Sequence, residues 1–300
     1  MHSKADIKNL DVICFGESLI DLFPTGPLPG GAPMNVAHHL RNFNLKTGLI
    51  TRVGNDERGV SILDFLNNHG VNTNLVQIDN ERETGIVQVN VDKNDDPAYT
   101  IIENVAWDYI DDSFLNQNLN PKYIVHGSLI CRSAESSNSL HTLLQNTQAT
   151  VVFDLNIRAP YYNKSVIEEL LKRTHILKVN NDEFEMLKDW FYIGKADERG
   201  NLRALKSLFP NLEIIIVTKG AKGAVAWRND EMLKVKSIPI KVKDAVGSGD
   251  AFLAGFISQI DQGVSLEEAL TYAIKVGAYV ATKKGANPKY SEDDITDFAL

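Results

Sequence analysis

Short apolar runs alternate with amphipathic stretches along most of the chain. The runs at 12–15, 49–53, 123–125, 151–153, 176–179 and 214–217 are rich in Val, Ile and Leu and show little polar alternation, so each predicts a strand covered on both faces. Between them, residues 34–43, 59–69, 136–145, 165–173 and 183–190 repeat their apolar positions with a helical period. Strands separated by helices in this way predict parallel strands with helical crossovers, and hence an α/β fold.

One region breaks the rhythm. From 84 to 92 apolar and polar residues alternate, with Ile86, Val87, Val89 and Val91 as the apolar set; Lys93-Asn94-Asp95-Asp96-Pro97 then predicts a turn, and 98–102 a second strand. With no helix between them, these strands cannot form a βαβ unit, and a small antiparallel flap beside the main sheet is the simplest arrangement. Such flaps commonly act as lids. No Pro/Gly/Ser-rich linker and no repeat divides the sequence, which predicts a single domain over 1–300 with a lid contributed by 16–30 and 84–104. Near the C-terminus, Ser265-Leu-Glu-Glu268 is a capping box that opens a helix with Leu266, Ala269, Leu270, Ala273, Val276 and Val280 on one face. The small residues Gly277, Ala278 and Ala281 beside that face read by default as ordinary core, with the wall of a nucleotide pocket as the alternative.

Composition narrows the partners. The chain has 300 residues, 43% of them hydrophobic, enough for a large core. A formal net charge of −8 and no basic run longer than Lys283-Lys284 argue against nucleic acid. Net charge does not decide nucleotide binding, because phosphates are held by local N–H groups and a few cations. The N-terminus does not read as a secretory signal, and nowhere do about 18 apolar residues stand together, which predicts a cytoplasmic protein with no membrane partner. Cys14 and Cys131 lack CxxC spacing and predict two buried thiols rather than a disulfide or zinc site. His38 and His39 lie about 100° apart on a helix, a poor arrangement for two ligands to one metal.

The most informative segment is Asp244-Ala-Val-Gly-Ser-Gly-Asp250, followed by the apolar run AFLAGFISQI. A nearly all-apolar helix starts there, yet its first turn carries a carboxylate and two glycines. Gly247 and Gly249 let the backbone turn without side-chain obstruction, which would leave the N–H groups of Gly247, Ser248, Gly249 and Asp250 at a helix N-terminus. Those dipoles suit the charge that develops on a transferring phosphoryl group, and Asp250 could accept the proton of an attacking hydroxyl. The plain alternative is a helix cap and a chain turn. Near the other end, Gly30-Gly31-Ala-Pro-Met-Asn35-Val-Ala37 places a double-glycine turn before a helix, with the Asn35 amide suited to sugar hydroxyls. Asp21 follows the first strand and is expected at its carboxyl end, where open α/β sheets bind ligands.

Together these segments resemble the PfkB carbohydrate kinase family, whose N-terminal signature has the form GGAPMNVA and whose C-terminal signature has the form DAVGSGD. The resemblance continues through GESLIDLFP, RVGNDERG, DLNIR, KVNNDEFEML and VTKGAKGA. It implies a ribokinase-like sheet flanked by helices with a β lid, ATP and magnesium as cosubstrates, and transfer of the γ-phosphoryl to a sugar hydroxyl. By resemblance, Asp250 is the catalytic base and Gly247, Ser248 and Gly249 its anion hole. Asp21, Gly30, Gly31 and Asn35 hold the sugar. Asn180 and Glu183 belong to a magnesium and phosphate water network, and Thr218, Gly220, Gly223 and Gly285 pass the nucleotide. Arg158 stands near the phosphates, where a guanidinium fork suits phosphate oxygens, with a surface ion pair as its alternative. Asp244 and Gly285 match a region that binds a monovalent cation, K+, in some relatives. A homodimer built through the lids is compatible with the resemblance.

GESLIDLFP and DLNIR look most like fructokinase or 2-keto-3-deoxygluconate kinase. Where those groups often carry an arginine after the second lid strand, this chain has Glu103. A carboxylate there accepts hydrogen bonds from neutral hydroxyls but repels an acidic sugar by roughly 1 kcal/mol or more at close range, which favours fructose. The short link between Asp21 and Gly30 predicts a reduced lid. Competing readings are a 2-keto-3-deoxygluconate kinase, a ribokinase-type sugar or nucleoside kinase, and, from another class, a non-catalytic sugar or nucleotide sensor, which would not need Asp250. No GxGxxG follows the first strand and no GxxxxGK[ST] occurs, which disfavours a dinucleotide oxidoreductase and a P-loop ATPase.

Overall fold

The structure, a computed structural model, describes residues 4–23, 26–91, 97–194 and 196–298. Its strands are β1 (Val12–Phe15), β2 (Leu19–Phe23), β3 (Gly26–Gly30), β4 (Thr47–Gly54), β5 (Val76–Asp79), β6 (Gly85–Val91), β7 (Pro97–Ile101), β8 (Tyr123–His126), β9 (Thr150–Asp154), β10 (Ile176–Asn180), β11 (Ile214–Thr218), β12 (Ala224–Arg228) and β13 (Glu231–Val235). The α-helices are α1 (Ala32–Asn42), α2 (Glu57–Asn68), α3 (Ala134–Gln145), α4 (Lys164–Leu171), α5 (Asn181–Phe191), α6 (Glu198–Leu208), α7 (Ser248–Asp261), α8 (Leu266–Ala281) and α9 (Glu292–Thr296).

Nine strands form the main sheet in the order β13-β12-β11-β10-β9-β8-β1-β4-β5. Pairing is parallel from β5 to β11, and β12 and β13 add an antiparallel edge. The apolar runs are the centres of these strands because both faces are covered. On β1, Val12 and Cys14 pack among α1, α7 and α8, while Ile13 and Phe15 pack among residues of α3, α4, α5 and α6. All six predicted strands and all five predicted helices form, most a residue or two longer or shifted at an end. The capping box is present as read: Ser265 Oγ accepts from the Glu268 N–H and the Glu268 carboxylate accepts from the Ser265 N–H.

The second sheet has the order β3-β2-β6-β7. The expected hairpin is β6 and β7, and its turn at 92–96 lies outside the described residues. The sheet is not a simple antiparallel flap, because β2 joins β6 in parallel. Asp21 is correspondingly not in a loop at the end of β1; it stands within β2, where Leu19-Ile-Asp-Leu-Phe23 runs as a strand of its own. The link expected to reduce this sheet supplies β3 instead. Pro27 and Pro29 lack the N–H that a central strand needs, and β3 is an edge strand.

Candidate active site

The first turn of α7 stands between two groups of residues. Gly247 caps the helix with φ 75°, in the left-handed region, and a Cβ there would come within 2.6 Å of the Ala286 Cα. Only glycine fits that turn without strain. The Ser248 N–H donates to the Ala245 carbonyl at 3.2 Å, and the Ser248 hydroxyl donates to the same oxygen at 2.8 Å. This N–H, expected to face a ligand, is therefore engaged by the turn, whereas those of Gly249 and Asp250 lie ahead of any helical acceptor.

On one side of the turn lies a cavity of about 530 Å³ lined mainly by apolar groups. Thr218, Gly220 and Gly223 form its wall after β11, and Ser248, Gly249 and Phe252 its floor. Gly277, Ala278 and Ala281 line it too, so these small residues of α8 are cavity wall as well as packing surface. Small side chains leave room for a flat ring between helix and loop. Asn180 and Gly285 do not line this cavity. Asn180 caps α5 in a reciprocal box: its side chain accepts from the Glu183 N–H at 2.9 Å, and Glu183 Oε2 accepts from the Asn180 N–H at 2.8 Å. Glu183 Oε1 accepts from the Ile157 N–H at 2.8 Å, so each carboxylate oxygen keeps one lone pair. The Gly285 N–H donates to Asp244 Oδ2 at 2.9 Å, and Asp244 Oδ1 accepts from the Val246 N–H at 3.0 Å, which ties two loops together.

On the other side, Asn35 of α1 donates from Nδ2 to Asp250 Oδ2 at 2.8 Å. Burial pushes the Asp250 carboxyl up to about 6 and the nearby Asp154 charge adds to this, against the Asn35 amide, Lys178 and Arg158, which favour the ionised form. Asp21 lies against Gly30, where any Cβ would strike its carboxylate, and burial pushes it up to about 6 against the pull of Arg158. Arg158 itself is exposed, makes no ion pair among the described residues, and acts on Asp21, Asp250 and Glu17. Gly31 adopts φ 116° against the Glu17 carbonyl. Glu103 is exposed beside the Tyr161 hydroxyl, with no contact to Asp21, Asn35 or Asp250 among its bonds.

The motif reading passed over three site residues. Lys178 is buried in β10, its ammonium 2.9 and 2.8 Å from the two carboxylate oxygens of Asp154 on the neighbouring strand and 3.5 Å from the position of a Cβ on Gly249. Burial opposes its charge, but Asp154 holds it protonated. A lysine inside an apolar strand has to be paired, and that was its legible signal. Glu17 is buried with Oε2 lacking a partner among the described residues, and burial pushes its carboxyl up to about 7. Asn287 donates from Nδ2 to Asn35 Oδ1 at 2.8 Å and left no mark in the sequence pattern.

The fold thus joins a large parallel sheet with an antiparallel edge to a second small sheet, and sets a carboxylate at a glycine-capped helix start beside an apolar cavity; the class is that of phosphotransferases acting on a sugar hydroxyl. The chain belongs to the pfkB family of carbohydrate kinases, whose family model matches residues 5–293. Among curated proteins it is similar to fructokinase-2 of Oryza sativa subsp. japonica, 28% identical over 307 residues that span 92% of this chain and 90% of that protein. Among solved structures, a double mutant of the fructokinase from Vibrio cholerae O395, bound to fructose, ADP and a potassium ion, superposes with a TM-score of 0.83 at 21% identity, covering 98% of this chain and 99% of that one. The aminoimidazole riboside kinase of Salmonella enterica, with aminoimidazole riboside and an ATP analogue, gives 0.75 at 22% identity over 95% of this chain and 98% of that one. These two likenesses show the shared fold. No helix among the described residues is long and apolar enough to cross a membrane.

Proposed function

We propose that the protein transfers the γ-phosphoryl group of ATP to a hydroxyl of a neutral sugar, fructose first among candidates, with Asp250 as general base. The observation that carries this reading is the shared first turn of α7, where Ser248 and Gly249 border the cavity while Asp250 faces away to Asn35. ATP in the cavity, entering along the Thr218 loop, and a sugar beneath the second sheet near Asp21, Gly30 and Gly31 would meet at that turn. Asp250 takes the proton of the attacking hydroxyl, whose oxygen then bonds to the γ-phosphorus as the bond to the ADP oxygen breaks. A base poised near 6 is largely ionised at neutral pH and still basic enough to accept a proton. The N–H groups of Gly249 and Asp250, with Lys178 beneath them and Arg158 across the site, oppose the charge that accumulates on the phosphoryl oxygens.

Magnesium fits a site of this kind, since it keeps several waters and takes few protein ligands beside the phosphates. Bound there, it would neutralise phosphate charge, with the remaining lone pairs of Glu183 as water-mediated anchors. Asp244, holding both loops through its two oxygens, supports a K+ site only through neighbouring carbonyls. Fructose rests on the curated relatives alone, because Glu103 stands beside Tyr161, away from Asp21, Asn35 and Asp250, with the Arg132 guanidinium bonded to the adjacent Ile102 carbonyl. Two free cysteines fit the reducing cytoplasm. A second copy would pair at the edges of the second sheet, one of which Pro27 and Pro29 blunt.

The test is ATP-dependent phosphorylation of fructose, glucose, ribose, adenosine and 2-keto-3-deoxygluconate with magnesium and potassium. Preference for fructose supports the proposal. Preference for the acidic sugar removes fructose, and no turnover on any of them points to a substrate outside the panel or to the sensor reading.

A further inference from the structure

Asn35 is held at both ends of its amide. Nδ2 donates to Asp250 Oδ2, and Oδ1 accepts from Asn287 Nδ2, each at 2.8 Å. An amide rotated by half a turn about its last bond exchanges donor for acceptor. In that rotated state Asn35 would aim a carbonyl oxygen at the Asp250 carboxylate. Asn287 opposes the rotation, because its N–H requires an acceptor and Asn35 Oδ1 is the acceptor it has. Asn287 Oδ1, by contrast, is buried without a partner among the described residues, so its amide N–H is the end of the group that this site uses.

The segment carrying Asn287 is itself pinned. His39 lies on α1 four residues after Asn35 and so on the same face. Its Nε2 bonds to the Ala286 carbonyl at 3.0 Å and its Nδ1 to the Tyr290 hydroxyl at 2.8 Å. A carbonyl can only accept, so the proton is on Nε2 and the Tyr290 O–H donates to Nδ1. Gly285 is tied to Asp244, and the Ala286 backbone presses against Gly247 at the cap of α7. One short segment therefore touches both the glycine turn that borders the cavity and the amide that holds the carboxylate.

We infer that Asn287 is a positioning residue for the reaction: it fixes the Asn35 amide with its N–H toward Asp250, which anchors Oδ2 and keeps Oδ1 directed at the substrate hydroxyl. Asp250 Oδ1 has no protein partner among the described residues. The relay presupposes the base role proposed above for Asp250. Asp250 is also faced by Asp154 on β9, Lys178 on β10, Arg158 beyond β9, and Cys14 and Glu17 at the end of β1, none of which is bonded to Asn287 among the described residues.

The experiment uses the full chain with ATP, magnesium and fructose, or whichever sugar of the panel turns over. Asn287→Ala is expected to lower kcat about tenfold, the size expected when the freed Asn35 amide gives up its bond to the Asp250 carboxylate, while the sugar KM moves less than about threefold. The acid limb of kcat should shift to higher pH, because a freed Asn35 no longer favours the ionised carboxylate. Asn287→Asp has the same shape but no amide N–H and should lose kcat likewise; its buried carboxylate lowers the melting temperature, yet at an assay temperature below that point the sugar KM should stay near the wild-type value. That variant separates positioning from misfolding. The double variant Asn35→Ala/Asn287→Ala should be no slower than Asn35→Ala. Wild-type kcat and acid limb in both Asn287 variants, beside an inactive Asp250→Asn, overturn the relay alone. Turnover by Asp250→Asn overturns the base assignment and the relay with it.

Discussion

Replacing Asp250 by asparagine should separate activity from stability. Turnover should fall to background, because asparagine keeps the size and the bond to Asn35 but cannot take a proton. Stability should rise. The Asp250 carboxyl moves from an ordinary 3.8 in the unfolded chain to about 6 in the folded protein, chiefly through burial. At about 1.4 kcal/mol per pKa unit this corresponds to about 3 kcal/mol, and because the residue is partly open to the cleft a range of about 1–3 kcal/mol is appropriate. A carboxyl raised on folding costs nothing while it is protonated in both states, below about pH 4. The cost grows as pH rises through the window bounded by the two pKa values and is constant above about pH 6 to 7. Asp250→Asn should thus melt like the wild type at pH 3.5 and above it at pH 7. Urea unfolding of both proteins across this range, in parallel with a coupled ADP assay, measures both quantities. Stability curves that stay parallel from pH 4 to 7 would refute the claim that the carboxylate is held in an unfavourable site.

Two further changes address the surroundings of that carboxylate. Lys178→Met strands Asp154 in the interior and should cost about 3–5 kcal/mol, read as a lower urea midpoint; adding Asp154→Leu should recover most of the stability but not turnover, and a single variant as stable as wild type would mean the pair is not buried as described. Gly247→Ala meets both the left-handed φ of 75° and the Ala286 backbone and should cost about 1–3 kcal/mol, raising the KM for ATP more than that for the sugar; equal rises in both would count against the cavity as the nucleotide site.

Much of the fold is written in local pattern. The run Val12–Phe15 and the Ser265 capping box were legible because each depends on residues within one turn or one strand. The same holds for the two glycine turns at 30–31 and 247–249, whose chemistry comes from the backbone itself. Other features were harder to see. β3 carries two prolines, a composition that argues against a strand until the edge position is known. α6 has a strongly amphipathic sequence, yet it was not among the predicted helices. Asp21 was assigned to the wrong element because the sequence does not mark where β1 ends and β2 begins.

By itself, the sequence determined the α/β alternation, the helix starts and the residue types at the two glycine turns, since periodicity and backbone freedom are properties of neighbours along the chain. Only the tertiary structure decided what those residues touch. Asn35 reaches Asp250 across 215 positions and Asn287 reaches Asn35 across 252, while Lys178 meets Asp154 because β9 and β10 are adjacent strands. Such contacts follow from the order of strands in the sheet and from which helix face meets which, and no local pattern of polar and apolar residues encodes either. The same packing sets the burial that raises Asp250 and the small-residue wall that opens the cavity.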